Sequence, residues 1–227
     1  MTWAARRPST TTRGAGPGQA IPRSGGGSAK RTAAGPATRS WSTGRGASRP
    51  AARSAPRVLN RPHSITADAE IPAGGAEGIL ICQGSNAGGW TFYDRGSRLH
   101  YAHNYVGRAT YRVSAPDPLP AGRHQLRFEF APTGKPDFAE GKGTPGLAQL
   151  YVDGQLIANT EFPLTTPIAF NPGGLTCGAN PGSAIVPDYQ ARAPFPFTGT
   201  LHTVTIDLSG DLITDTESEI RMAMARQ

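Results

Sequence analysis

Apolar and polar residues alternate along much of the chain beyond residue 57. In residues 65–71, Ile65, Ala67, Ala69 and Ile71 share one side, and Thr66, Asp68 and Glu70 share the other. That two-residue period is the mark of a half-buried strand, stopped here by Pro72 and the Gly74-Gly75 pair. Residues 78–83 hold the unbroken apolar run Ile79-Leu80-Ile81-Cys82, which predicts a strand buried on both faces. Residues 90–93 and 98–106 flank Asp94-Arg95-Gly96-Ser97, a hairpin-like turn, and residues 108–113 follow Gly107. In residues 123–130, His124, Leu126, Phe128 and Phe130 alternate with Arg123, Gln125, Arg127 and Glu129. Residues 147–152 and 155–161 surround Asp153-Gly154, and a two-residue Asp-Gly between strands signals a type I′ hairpin. The last strand is residues 200–208, with His202, Val204, Ile206 and Leu208 on one face.

No segment before Ser209 has a helical period. Gly 29 and Pro 21 make up more than a fifth of the 227 residues, which suits many short strands joined by turns. The expectation is an all-β, antiparallel two-sheet sandwich of jelly-roll topology over residues 58–208. Residues 209–227 read as a polar tail, with a short helix around residues 219–226.

Charge divides the chain in two. Residues 1–57 carry 11 Lys+Arg and no acid, whereas the remainder carries 12 against 16 Asp+Glu, so the net +7 describes neither part. Residues 1–57 are Ala, Gly, Arg, Ser, Thr and Pro with Trp3 and Trp41, too little apolar surface to offset ordering, and are expected to be a disordered arm. Such an arm suits phosphate neutralisation, but it lacks the short repeats with interleaved aromatics of Arg/Gly-rich RNA-binding segments. A transit peptide would need an amphipathic stripe that is missing. A third reading, an out-of-frame product of a GC-rich gene, accounts for the absence of acids and is placed ahead of the nucleic-acid arm. No apolar run is long enough to span a bilayer and no signal-peptide core lies near Met1, so the default expectation is cytoplasmic. Cys82 and Cys177 form neither a disulfide framework nor a metal cluster and are expected to be two buried thiols; their pairing is left open.

An ordered set of short motifs carries a family resemblance. Asn60-Arg61-Pro62-His63-Ser64-Ile65-Thr66-Ala67 leads into Glu70-Ile71-Pro72-Ala73-Gly74-Gly75-Ala76-Glu77-Gly78. Gln83-Gly84, Gly88-Gly89-Trp90, Leu99-His100-Tyr101, Asn104-Tyr105, Pro118-Leu119-Pro120-Ala121-Gly122 and Leu150-Tyr151-Val152-Asp153-Gly154 follow in turn. The set closes with Phe195-Pro196-Phe197-Thr198-Gly199-Thr200 and Val204-Thr205-Ile206-Asp207-Leu208. In order and spacing it resembles the C-terminal domain of the large bacterial arylsulfatases; the Tyr-Val-Asp-Gly hairpin also recurs in concanavalin-like and laminin-G-like sandwiches. The resemblance implies a non-catalytic accessory domain that packs on a sulfatase core. That core, with its calcium ion and formylglycine nucleophile, is absent from this chain. One departure is the run Leu175-Thr176-Cys177-Gly178-Ala179-Asn180-Pro181-Gly182-Ser183, which lacks the aspartates such domains carry there, although Asp188-Tyr189 matches.

The chemistry a sulfatase needs is not encoded here. Cys82 precedes Gln83-Gly84 and Cys177 precedes Gly178-Ala179, neither of them a Cys/Ser-x-Pro-x-Arg motif, while Ser48-Arg49-Pro50-Ala51 ends in Ala52 where arginine is required. No catalytic, cofactor-binding or metal-binding residue is assigned. The odd spacing of His100 and His103 sends them to opposite faces of a strand, His124 sits on an apolar face as a core residue, and His63 and His202 show no partner. Asp68 and Glu70 share the polar face of their strand without the third carboxylate of a jelly-roll glycosidase, and Asp137 and Glu140 lie in a loop. Trp90, Tyr93, Tyr101, Tyr105, Tyr111 and Tyr151 are core, rim or a sugar-stacking platform. The two functional readings are thus a sulfatase accessory domain, which predicts an apolar docking patch, and an independent carbohydrate-binding sandwich of laminin-G-like type, which predicts a concave face with exposed aromatics. Nucleic acid is disfavoured and no membrane partner is indicated. A chromogenic aryl sulfate incubated with the purified chain is expected to turn over at the background rate; measurable enzymatic turnover would contradict the motif reading.

Overall fold

Alternation in the sequence becomes two stacked antiparallel sheets. The computed structural model describes residues 55–168 and 173–208, the strand at residues 37–42, and Met224. The strands are β1 (Ala37–Ser42), β2 (His63–Ile71), β3 (Gly78–Ser85), β4 (Gly88–Arg95), β5 (Arg98–Tyr105), β6 (Ala109–Ser114), β7 (Gly122–Pro132), β8 (Gly146–Val152), β9 (Gln155–Phe162), β10 (Leu175–Cys177) and β11 (Thr200–Leu208). One sheet runs β1-β11-β2-β7-β8-β9 and the other β10-β3-β4-β5-β6. Ile65, Ala67, Ala69 and Ile71 of β2 point into the core between them, as the period requires. Tyr101 of one sheet stacks on Phe128 of the other with centroids 3.4 Å apart and planes within 5°, and Phe162 packs close by. The fold is the all-β, antiparallel jelly-roll sandwich expected from the pattern.

Three local expectations change, and one holds. Asp94 and Arg95 are strand residues rather than turn residues: Arg95 pairs with Arg98, and Gly96 and Ser97 alone make the reversal with φ of +61° and +58°. The Asp153-Gly154 reversal has the same double positive φ, +49° and +82°, which is the type I′ signature. In β11 the register slips between Leu201 and Thr203, so Leu201 and Val204 both face the core and His202 is displaced from it. A bulge resets the two-residue period, which alternation alone does not show. Finally, residues 37–42, placed inside the basic arm by composition, form β1 and pair with β11. The remainder of residues 1–54 and the tail helix lie outside the described residues, except that Met224 is helical and exposed.

The five-stranded sheet is buried on both faces along β3 and most of β4. Its outer side, carrying Ile79, Cys82, Tyr93 and Ala102, is covered by Ala184, Ile185, Val186, Tyr189 and Phe195 from the stretch between β10 and β11. A short 3-10 turn, Pro187–Arg192, sets Tyr189 against Tyr93, and the Tyr189 hydroxyl accepts hydrogen bonds from Asn180 Nδ2 and the Ile185 amide at 3.2 Å. This cover explains why β3 is buried at every position. Replacing Phe128 by Ala removes a fully buried ring from the contact between the sheets. The change is expected to cost about 3–5 kcal/mol, read as a lower urea midpoint at unchanged m-value.

Candidate functional site

Among the described residues, three concave features come from the way loops meet the sandwich. The first is an internal gap between the sheets lined by Asn60, His63, Trp90, Tyr101 and His103. Its free space is about 10 Å³, enough for at most one water and far too small for a sugar. The second is a groove of about 520 Å³ between the proline-rich loop 115–120 and the β8–β9 hairpin. Pro116, Pro118, Leu119 and Leu156 give it an apolar wall, and Asp117 and Asp153 its charge.

The third is a cleft of about 240 Å³ at the end of the sandwich where the β3–β4 turn, the β5–β6 turn and loop 184–190 converge. One buried side chain draws the three loops together. Asn104 Nδ2 donates to the Asn86 carbonyl at 3.1 Å and to the Ile185 carbonyl at 2.6 Å, while its Oδ1 accepts from the Gly107 amide at 2.8 Å. Ala184, Ile185 and Val186 form a buried apolar floor. The exposed rim carries Asn86, Arg108, Thr110 and Gln190. Among the described residues, the Arg108 guanidinium, the Thr110 hydroxyl and the Gln190 amide make no internal hydrogen bond or ion pair. Asn104 stood in the sequence only as part of a family motif. Nothing in its local pattern announces a three-way tie, because its partners lie 3, 18 and 81 residues away.

The residues weighed in the sequence fall elsewhere. Cys82 faces the outer cluster and Cys177 the inner core, so they sit on opposite faces of one sheet. Both thiols are free, and burial pushes each up to about 12, which keeps them protonated. His103 is buried in the core, while His100, on the outer face, bonds Ser114 Oγ at 2.7 Å. The Thr166 amide donates to His103 Nε2 at 3.0 Å, so the neutral ring carries its proton on Nδ1. His63 is also buried, donating from Nδ1 to the Arg61 carbonyl at 3.1 Å. Burial lowers both rings to about 4. His124 is not a core residue: it lies at the end of β7 and pairs with Asp153 at 2.7 Å. His202 stands 3.6 Å from Glu70. Asp68 is held by Arg123 in a two-pronged contact at 2.9 and 2.5 Å, which lowers its pKa, and makes no carboxylate pair with Glu70. Asp137 and Glu140 share a tight turn in which the Glu140 amide donates to Asp137.

Trp90, Tyr93 and Tyr101 are buried, while Tyr105, Tyr111 and Tyr151 are half-buried. No aromatic residue is fully exposed among the described residues, so the stacking platform anticipated for a sugar binder is not formed there. Leu156 and Met224 are the only exposed large hydrophobics in the same set, and they make no docking patch of the kind anticipated for an accessory domain. Among the described residues no group of three or more His, Cys, Asp or Glu is placed to hold a metal ion.

The architecture defines the chain's class: an all-β, antiparallel jelly-roll sandwich. No family model and no curated protein matches the chain. Among solved structures, a mutant NanB sialidase from Streptococcus pneumoniae is similar at 12% identity and TM-score 0.50, over 79% of this chain and 27% of that one. The CBM40 domain of the Ruminococcus gnavus IT-sialidase bound to α2,3-sialyllactose is similar at 14% identity and TM-score 0.44, over 71% of this chain and 82% of that one. Domains LG4-5 of the mouse laminin α1 chain follow at 18% identity and TM-score 0.38, over 72% and 41%. At these identities the likeness is one of fold.

Sequence reasoning also missed Asp94, which lies inside the sandwich on the same side of β4 as Trp90 and Phe92. Neither carboxylate oxygen meets a protein hydrogen-bond donor. Burial, then the nearby charge of Glu77, raises its pKa from the usual carboxylate value to about 7. Folded Asp94 therefore keeps a proton that the unfolded chain has lost, and its contribution to stability falls as pH rises from about 4 to about 7. His63 and His103 act in the opposite sense. The unfolded rings bind protons below about 6.5 and the folded ones only near 4, so stability falls as pH drops through that window. Asp94→Asn is expected to raise the melting midpoint at pH 8 by on the order of 5 °C and to steepen the loss of stability between pH 6.5 and 4. A calorimetric pH series checks both; an unchanged profile would show that Asp94 does not titrate against folding.

Proposed function

We propose that this chain is a non-catalytic carbohydrate-binding sandwich domain, and that sugar is bound in the cleft tied together by Asn104. The observation that carries this reading is the chemistry of that cleft. An apolar floor suits the C–H face of a pyranose, and the rim offers side-chain groups at Arg108, Thr110 and Gln190 that no described protein group uses. Hydroxyl groups need directional partners at low desolvation cost, which the side-chain amide of Gln190 and the Thr110 hydroxyl supply from exposed positions. Because Asn104 already holds the loops, little chain ordering is left for the ligand to impose. The 520 Å³ groove offers mainly proline and leucine surface and carries fewer free hydrogen-bonding groups. The companion role beside a sulfatase catalytic domain rests on the sequence motifs alone and has no support from the comparisons.

Isothermal titration of the chain against a panel of oligosaccharides tests the proposal. Binding is expected, and Gln190→Ala and Thr110→Ala are each expected to weaken it about threefold to tenfold at unchanged melting temperature. Absence of binding across the panel, or binding indifferent to both changes, would overturn it.

A further inference from the structure

We infer that the sugar bound in the Asn104 cleft carries an anionic group, a carboxylate or a sulfate ester, and that Arg108 is the residue that reads it. This rests on the carbohydrate-binding reading above and adds the charge of the ligand. Arg108 is the single ionisable side chain in the cleft lining. It lies in the β5–β6 turn, where its backbone amide donates to the Tyr105 carbonyl at 2.8 Å and fixes the base of the side chain. Its guanidinium is exposed and unpaired among the described residues.

Several arginines elsewhere on the domain are engaged. Arg112 holds Asp188 at 2.6 Å, Arg123 holds Asp68, Arg192 pairs with Glu77, and Arg98 donates to the Pro116 carbonyl at 3.0 Å. Asp188, which immediately follows a cleft residue, is not available to Arg108. Its two oxygens already accept from Arg112 and from the Tyr93 hydroxyl, both at 2.6 Å. The cleft thus presents one uncompensated cation beside neutral donors and acceptors, with no carboxylate in its lining. The larger groove has the opposite character, with Asp117 and Asp153 and no cation. A guanidinium presents a planar pair of N–H donors that matches the oxygen spacing of a carboxylate or sulfate, and such charge-assisted bonds are roughly twice as strong as neutral ones. A neutral sugar would leave this donor pair facing water.

The test compares matched ligands on the intact chain by isothermal titration. Sialyllactose against lactose forms the carboxylate arm, and 6-sulfo-N-acetyllactosamine against N-acetyllactosamine the sulfate arm. At least one anionic sugar is expected to bind tenfold or more tightly than its neutral counterpart, with the difference shrinking as salt is raised. Arg108→Ala should abolish the difference, Arg108→Lys should restore part of it, and Arg95→Ala, which changes an exposed arginine at the far end of β4, should leave it intact. The arm that responds identifies the anion. Equal binding of neutral and anionic sugars, or discrimination that survives Arg108→Ala, overturns this inference while leaving carbohydrate binding in place. Binding to none of the four ligands, nor to the wider panel, overturns both.

Discussion

The central strands of the five-stranded sheet, β3 and β4, have almost no face left for water, and most of the molecule is arranged around that constraint. The sheet's inner side packs on the six-stranded sheet. Its outer side needs a second cover, which the segment between β10 and β11 supplies through Tyr189, Phe195 and their aliphatic neighbours. Once that segment lies across the sheet, its start is brought beside the β3–β4 and β5–β6 turns, and a cleft with an apolar floor is the geometric result. The Asn104 side chain completes the arrangement by satisfying backbone groups from all three loops at once. The cleft is therefore a product of covering the sheet as much as of the residues on its rim.

Buried polar groups are treated unequally in this core. Asn60 is well served: its Nδ2 donates to the Pro167 carbonyl at 2.5 Å and its Oδ1 accepts from the Thr144 amide at 3.1 Å. It joins the start of β2 to two distant loops in the way Asn104 joins three. Asp94 has no such partner, and burial raises its pKa to about 7, so that below that pH it is held as the neutral acid. The two buried histidines are tolerated for the converse reason, since they stay neutral.

Much of the sandwich was legible because its signals are local. The alternation in β2 and β7, the unbroken run in β3, and the Asp153-Gly154 reversal each state their structure within a few residues. What escaped was decided by partners far away in sequence. Strand β10 is only three residues long and exists because β3 offers it an edge. The cover segment has no periodicity, and its burial follows from the sheet it meets. Asp94 reads as a turn residue beside Arg95-Gly96, and only the two-residue reversal at Gly96-Ser97 places it in the core. The cleft was least legible of all. Its rim residues are ordinary surface types, and its organising asparagine was visible only as part of a motif, without its role.

Strand β1 lies inside the stretch that composition alone assigns to the basic arm, yet it forms one edge of the six-stranded sheet by pairing with β11. A boundary drawn at residue 57, where the acids begin, would cut the sheet and leave β11 with a row of unpaired backbone donors and acceptors. Open edges of that kind recruit further strands from neighbouring molecules. The division between tail and domain is therefore a matter of solubility as well as bookkeeping: a shortened chain would be prone to self-association through β11, with its cleft unchanged.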